Sequence, residues 1–188
     1  MTFKIAFISV CALWVLGELT ISRVFRSGAV MSARDAGSLR VILVVAYGCT
    51  AAGVCIALVN RRGSLPDPGA LQWIGVGMIV AGIVIRLIAI RTLRRFFTVD
   101  VAVLTDHRLI RKGLYRCARH PAYTGALLSF YGLAVALANP CAALVIVAPI
   151  TAAFLYRMRI EEAVLRGAFP QEYPEYERST ARLIPYLY

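Results

Sequence analysis

Three apolar runs, at about 3–21, 41–59 and 71–90, are each long enough to cross a bilayer core at 1.5 Å per helical residue. Two shorter runs follow at about 122–138 and 141–156, separated only by Asn139-Pro140. In lipid the backbone must satisfy its own hydrogen bonds, so such runs form helices. The chain reads as an all-α integral membrane protein with about five transmembrane helices. Asn-Pro is a turn signal, which makes 122–156 a tight helical hairpin. Pro149 is a candidate kink, and the last helix is expected to run on to Arg166, with Gly167 as its stop. The N-terminal run lacks an A-x-A cleavage site and carries Glu18 where one would sit, so it is read as a first membrane helix, not a signal peptide. The whole of 1–188 forms one membrane domain, with three helices in 1–90 and the hairpin plus a polar C-terminal segment in 91–188.

The formal charge of +11 suggests nucleic acid until the basic residues are located. Segments 22–40, 91–121 and 157–188 hold 4, 8 and 5 of them, 17 in all, whereas the opposite side holds Lys4, Arg61 and Arg62. That asymmetry is the positive-inside pattern, and it argues for membrane loops and no nucleic-acid partner. It places the N-terminus outside and the C-terminus in the cytoplasm. Glu18 and Arg86 fall within spans near that cytoplasmic end. Snorkelling, a Glu18–Arg86 pair and a headgroup contact are all open. Gly75, Gly77, Ala81 and Gly82 in the third span suggest close helix packing. Of the five cysteines, Cys117 forms a C-x-x-H with His120, half of a zinc site. No second such pair exists, so no metal is expected.

Polar residues gather in two blocks, 96–125 and 157–188, which share the cytoplasmic side. In Arg119-His120-Pro121-Ala122-Tyr123, Pro121 suits the first position of a helix, which puts His120 beside a helix N-terminus where an anion is favoured. The alternative is a basic interfacial turn with a belt tyrosine. Arg157 and Glu161 stand at i and i+4 on one helical face, either as a solvated ion pair or as paired recognition points for a zwitterion. The stretch VAVLTDHRLI, 101–110, is weakly strand-like. It is either an amphipathic strip on lipid or an extended segment offering backbone hydrogen bonds and an apolar wall to a flat ring.

The run DHRLIRKGLYRCARHPAYTG, 106–125, resembles the core motif of the isoprenylcysteine carboxyl methyltransferases and the related phospholipid methyltransferases. The second block agrees in order and spacing: Asn139-Pro140, Arg157 with Glu161-Glu162, Phe169, Glu172-Tyr173, Tyr176, and Arg182-Leu183-Ile184-Pro185. It departs from the pattern at Pro170, where a Gly often follows the Phe. The resemblance implies a membrane methyltransferase using S-adenosylmethionine, with 91–188 as its catalytic half. It implies a cytoplasmic-side cofactor pocket built by the loop before helix 4 and the C-terminal segment. Carried over by motif, the cofactor contacts are His107, Arg108, Leu109, Ile110, Tyr115, His120, Pro121, Ala122, Tyr123 and Glu161. Glu161 would accept from the ammonium, while His120 and nearby backbone N–H groups would hold the carboxylate. Arg157 would face the methyl acceptor. The implied acceptor is a lipophilic small molecule within the bilayer, most simply the carboxylate of a prenylated cysteine-like substrate or another lipid-tailed carboxyl or hydroxyl group. No obligate protein partner follows. A phospholipid amine, a nicotinamide-dependent membrane reductase and a non-catalytic scaffold are the alternative readings.

Overall fold

The computed structural model describes residues 2–25, 37–60, 65, 68–99 and 108–185. They form six α-helices: α1 Thr2–Val24, α2 Ser38–Val59, α3 Gly69–Leu93, α4 Pro121–Ala136, α5 Pro140–Ala168 and α6 Glu172–Ser179. There is no strand among the described residues, only an isolated bridge between Ala118 and Ala181. Four helices, α1, α2, α3 and α5, are long and apolar enough to cross a membrane. Ile8, Leu13 and Leu16 on α1, with Val44 and Leu58 on α2, turn outward and exposed. Such apolar surface is a liability in water and a lipid-facing belt in a bilayer.

α4 is different. Its 16 residues span about 24 Å, less than the hydrocarbon core. It is apolar on every side, and a helix of that kind belongs inside a bundle. Ala122, Gly125, Ala126, Ser129, Gly132, Leu133 and Ala136 are all buried. α3 packs along α4 and α2 along α5.

Glycines set the α3–α4 distance. Gly75 and Gly82 on α3 oppose Gly132 and Gly125 on α4. A Cβ added at Gly75 would lie 2.5 Å from the Gly132 carbonyl oxygen, and one at Gly125 would lie 2.6 Å from that of Gly82. Ser129, between them, donates to Ile79 O at 3.3 Å or Gly125 O at 3.1 Å. Of Gly75, Gly77, Ala81 and Gly82, only Gly75 and Gly82 serve this contact. Gly77 has nothing within 4 Å of an added Cβ, and both Gly77 and Ala81 are exposed. The seven-residue spacing of Gly75 and Gly82 puts them on one face, and the other two fall on the opposite one.

The hairpin turn is made as Asn139-Pro140 demands. Asn139 caps α5 by accepting from Ala142 N at 3.1 Å, and Pro140 occupies the first turn. The Asn139 amide also donates to Asn60 O at 3.1 Å, tying α2 to the turn. α5 runs through Pro149 and past Gly167 to Ala168, so the expected glycine stop lies one residue inside the helix. At 29 residues it is about 43 Å long, well beyond the hydrocarbon thickness.

Candidate binding pocket

The N-terminus of α4 is tied to the C-terminal segment through the backbone. Arg119 N donates to Ala181 O at 2.9 Å, His120 N to Arg182 O at 3.1 Å, and Ala181 N to Cys117 O at 3.2 Å. Thr124 adds a hydroxyl bond to Leu183 O at 2.9 Å. α6 then closes over the turn Gly113–Arg116, with the Tyr176 hydroxyl donating to Tyr115 O at 2.6 Å. Gly113 enters that turn at φ 59°, a conformation that favours glycine.

Glu162 organises this junction. It is 1% exposed, yet it accepts from Arg182 Nη2 at 2.7 Å, Arg119 Nε at 3.2 Å and Arg182 Nε at 3.1 Å. Its Oε1 also lies 3.2 Å from His120 Nε2. A carboxylate this deeply buried is tolerable only with such partners.

Glu161, the next residue, faces a cavity of about 260 Å³. Tyr123 binds it there, donating its hydroxyl to Glu161 Oε2 at 2.6 Å and accepting from Arg157 Nε at 3.0 Å. The phenol therefore stands between the i and i+4 charges that the sequence placed on one face. Arg157, 2% exposed, also donates to Ser38 Oγ at 2.7 Å and to the carbonyl of Val99. It is a cation fixed in direction by three separate parts of the chain. At the pocket's other corner Glu18 and Arg86 do pair, at 2.5 Å and 2.8 Å, and Arg86 donates to Ala122 O at 3.1 Å. With side chains 13% and 27% exposed, the pair is only partly buried and its loss costs less than that of a fully buried one.

Arg108, Leu109, Ile110, Tyr115, His120, Ala122, Tyr123, Arg157 and Glu161 all line the cavity. Pro121 is not on its wall; it starts α4. His107 lies outside the described residues, as does 101–107 of the weakly strand-like stretch; 108–110 has no regular secondary structure. The pocket continues between the membrane helices, walled by Trp14, Ile42, Leu43, Ala46, Phe130 and Phe154. It thus joins a polar end at Glu161 to an apolar limb within the bundle. Burial pushes the Tyr115 phenol above its ordinary value of 10.0, with Glu161 adding to the effect, so it stays neutral in the wall. Burial likewise raises Tyr176 to about 12.

Motif reading does not reach Ser38, Val99, Trp14 or the Glu162 cluster's geometry. Ser38 lies 119 residues from Arg157 and carries no local signal. Glu162 has a weak local signal in Arg166 at i+4, but its partners Arg119 and Arg182 lie 43 and 20 residues away.

The helices define an integral membrane protein with a pocket between them at the Glu161 end of the bundle. Residues 74–166 match the model of the isoprenylcysteine carboxyl methyltransferase family. The chain resembles that family over those 93 of its 188 residues. It is similar to a probable protein-S-isoprenylcysteine O-methyltransferase of Oryza sativa subsp. indica, 34% identical over 119 residues, covering 62% of each chain. It is also similar to protein-S-isoprenylcysteine O-methyltransferase A of Arabidopsis thaliana, 35% identical over 127 residues and 64% of each chain. It therefore spans under two thirds of the length of these relatives. Among solved structures it is similar to the eukaryotic intramembrane Ras methyltransferase of this family, with TM-score 0.62 and 26% identity, covering 74% of this chain and 51% of that one.

Proposed function

We propose that this protein transfers a methyl group from S-adenosylmethionine to a lipid-tailed acceptor, most simply the carboxylate of a prenylated cysteine-like molecule, on the cytoplasmic face of a membrane. One observation carries the reading: a single cavity runs from the Glu161 carboxylate to an apolar limb between membrane helices. A polar donor and a lipid acceptor would need both ends at once.

The residues present suit such a donor. Glu161 offers carboxyl oxygens to an ammonium, and its described hydrogen-bond partner is the Tyr123 hydroxyl. Leu109, Ile110 and Tyr115 give an apolar wall to a flat ring. S-adenosylmethionine, when bound, supplies an electrophilic methyl group. Arg157 would orient an acceptor carboxylate with a guanidinium already fixed in direction. A carboxylate is ionised at neutral pH, so this chain need not take a proton from it. Positioning would then supply most of the rate. Arg86 and Glu18, neutralising each other, would let the acceptor's tail pass along α1 and α2 without an unpaired charge in its path.

The test is to incubate membranes carrying the protein with methyl-labelled S-adenosylmethionine and a farnesylated cysteine analogue. Label in a base-labile ester, lost on Glu161→Gln, is expected. Label confined to phospholipid would shift the acceptor to an amine. No label in any lipid-soluble fraction would refute the reading.

A further inference from the structure

His120 is buried, 4% exposed, and its ring stacks on Tyr123 at 5.4 Å and 16°. It has little room to turn. One nitrogen, Nε2, is 3.2 Å from Glu162 Oε1. Glu162 also binds the guanidiniums of Arg119 and Arg182, which hold it ionised. An ionised carboxylate has no proton to give, so the proton of this bond belongs to Nε2. In the neutral ring Nδ1 then carries a lone pair, and Nδ1 lies 3.9 Å from Glu161 Oε2.

His120 and Glu161 both line the pocket, whereas Glu162 does not. The pocket therefore offers two acceptors side by side. A primary ammonium has three donors and no acceptor, and two slightly bent bonds of about 2.9 Å reach acceptors roughly 4 Å apart. A carboxylate ligand would meet two lone pairs of its own kind there. We propose that Glu162 is a positioning residue that fixes His120 as the Nε2–H tautomer, so that Nδ1 joins Glu161 in taking the ammonium of the methyl donor. The inference rests on the proposed function for the donor's identity. It reverses the sequence expectation that His120 holds the donor's carboxylate. Buried carboxylate–imidazole bonds set tautomers in this way at metal and catalytic sites.

The chain has two histidines, so ¹⁵N-imidazole spectra of the His-labelled protein in nanodiscs can be assigned with a single His107→Gln variant. At neutral pH His120 is expected to show a protonated Nε2 and an unprotonated Nδ1. S-adenosylhomocysteine should move the Nδ1 resonance in the direction of hydrogen-bond acceptance. 5′-Methylthioadenosine, which lacks the amino acid, should leave it in place. Glu162→Gln, whose amide can donate as well as accept, should populate both tautomers. With the competent tautomer cut to about half, S-adenosylhomocysteine should weaken about two-fold by calorimetry. An Nδ1–H tautomer, or a ring protonated on both nitrogens, in the unaltered protein at neutral pH overturns the proposal, and needs no variant to fold. So does an Nδ1 resonance unmoved when calorimetry shows S-adenosylhomocysteine bound. If neither nucleoside binds, the methyl-donor reading falls, and the tautomer is still measured.

Discussion

Gly125 gives the sharpest test of how the site is held. A Cβ there would sit 2.6 Å from Gly82 O, 2.7 Å from Arg86 N and 2.9 Å from Arg86 Cβ. Ordinary contacts begin near 3.4 Å, so Gly125→Ala must part α3 and α4 by most of an ångström. Two of the three obstacles are backbone and cannot rotate away. Overpacking of this kind costs about 1–3 kcal/mol. Alanine's better helix propensity returns about 0.8–1.0 kcal/mol. The balance is a loss of roughly 0–2 kcal/mol, with the distortion centred on Arg86 and so on the Glu18 pair. Gly77→Ala is the control, because nothing lies within 4 Å of its new Cβ. It gains propensity without strain and should be neutral to stabilising. Unfolding of the two variants in the same detergent by circular dichroism measures the difference. Gly125→Ala should melt below Gly77→Ala, and donor binding should weaken in Gly125→Ala alone. Equal stability and equal binding would refute the reasoning.

Three further outcomes follow from the same geometry. Tyr123→Phe removes the hydroxyl between Arg157 and Glu161, leaving Arg157 Nε short of an acceptor; it should cost about 1–3 kcal/mol in thermal unfolding and weaken S-adenosylhomocysteine by calorimetry. Glu162→Ala removes the buried carboxylate that Arg119, His120 and Arg182 share, and should destabilise by about 3–5 kcal/mol and free the C-terminal segment to protease. The Tyr176 phenol, raised by burial from 10.0 to about 12, favours the folded state fully below pH 10; that contribution is lost as pH rises through about 12. Tyrosinate absorbance should therefore lag in the folded protein over that window, and α6 should release at its upper end, a lag that Tyr176→Phe reduces.

The long spans were legible because hydropathy needs no partner to be read. α1, α2, α3 and α5 all sit where the apolar runs put them. Pairing across the chain was not. Glu18 and Arg86 are 68 residues apart, and either could have reached the headgroups instead. Gly77 and Gly82 look alike in sequence, and only the facing helix tells them apart. Glu161 and Glu162 are neighbours, so they point about 100° apart on α5. One faces the pocket and the other closes a buried junction, a division that depends on where Arg119 and Arg182 come to rest. α6 gives little helical signal because it has only eight residues and buries only Tyr173 and Tyr176.

The length of α5 has a consequence for kinetics. A straight helix of about 43 Å exceeds a core near 30 Å, and its charged residues all lie from Arg157 onward, so that is the end expected outside the hydrocarbon. Arg157, Glu161 and Glu162 ride on that end, while Ile150 and Phe154 remain below, among the membrane helices. On the proposed function, water would deliver the donor and the bilayer the acceptor. The acceptor's effective concentration is then its mole fraction among lipids, not its amount per volume of buffer. Adding inert lipid at constant substrate should slow turnover as dilution would, with no change in the affinity for the donor.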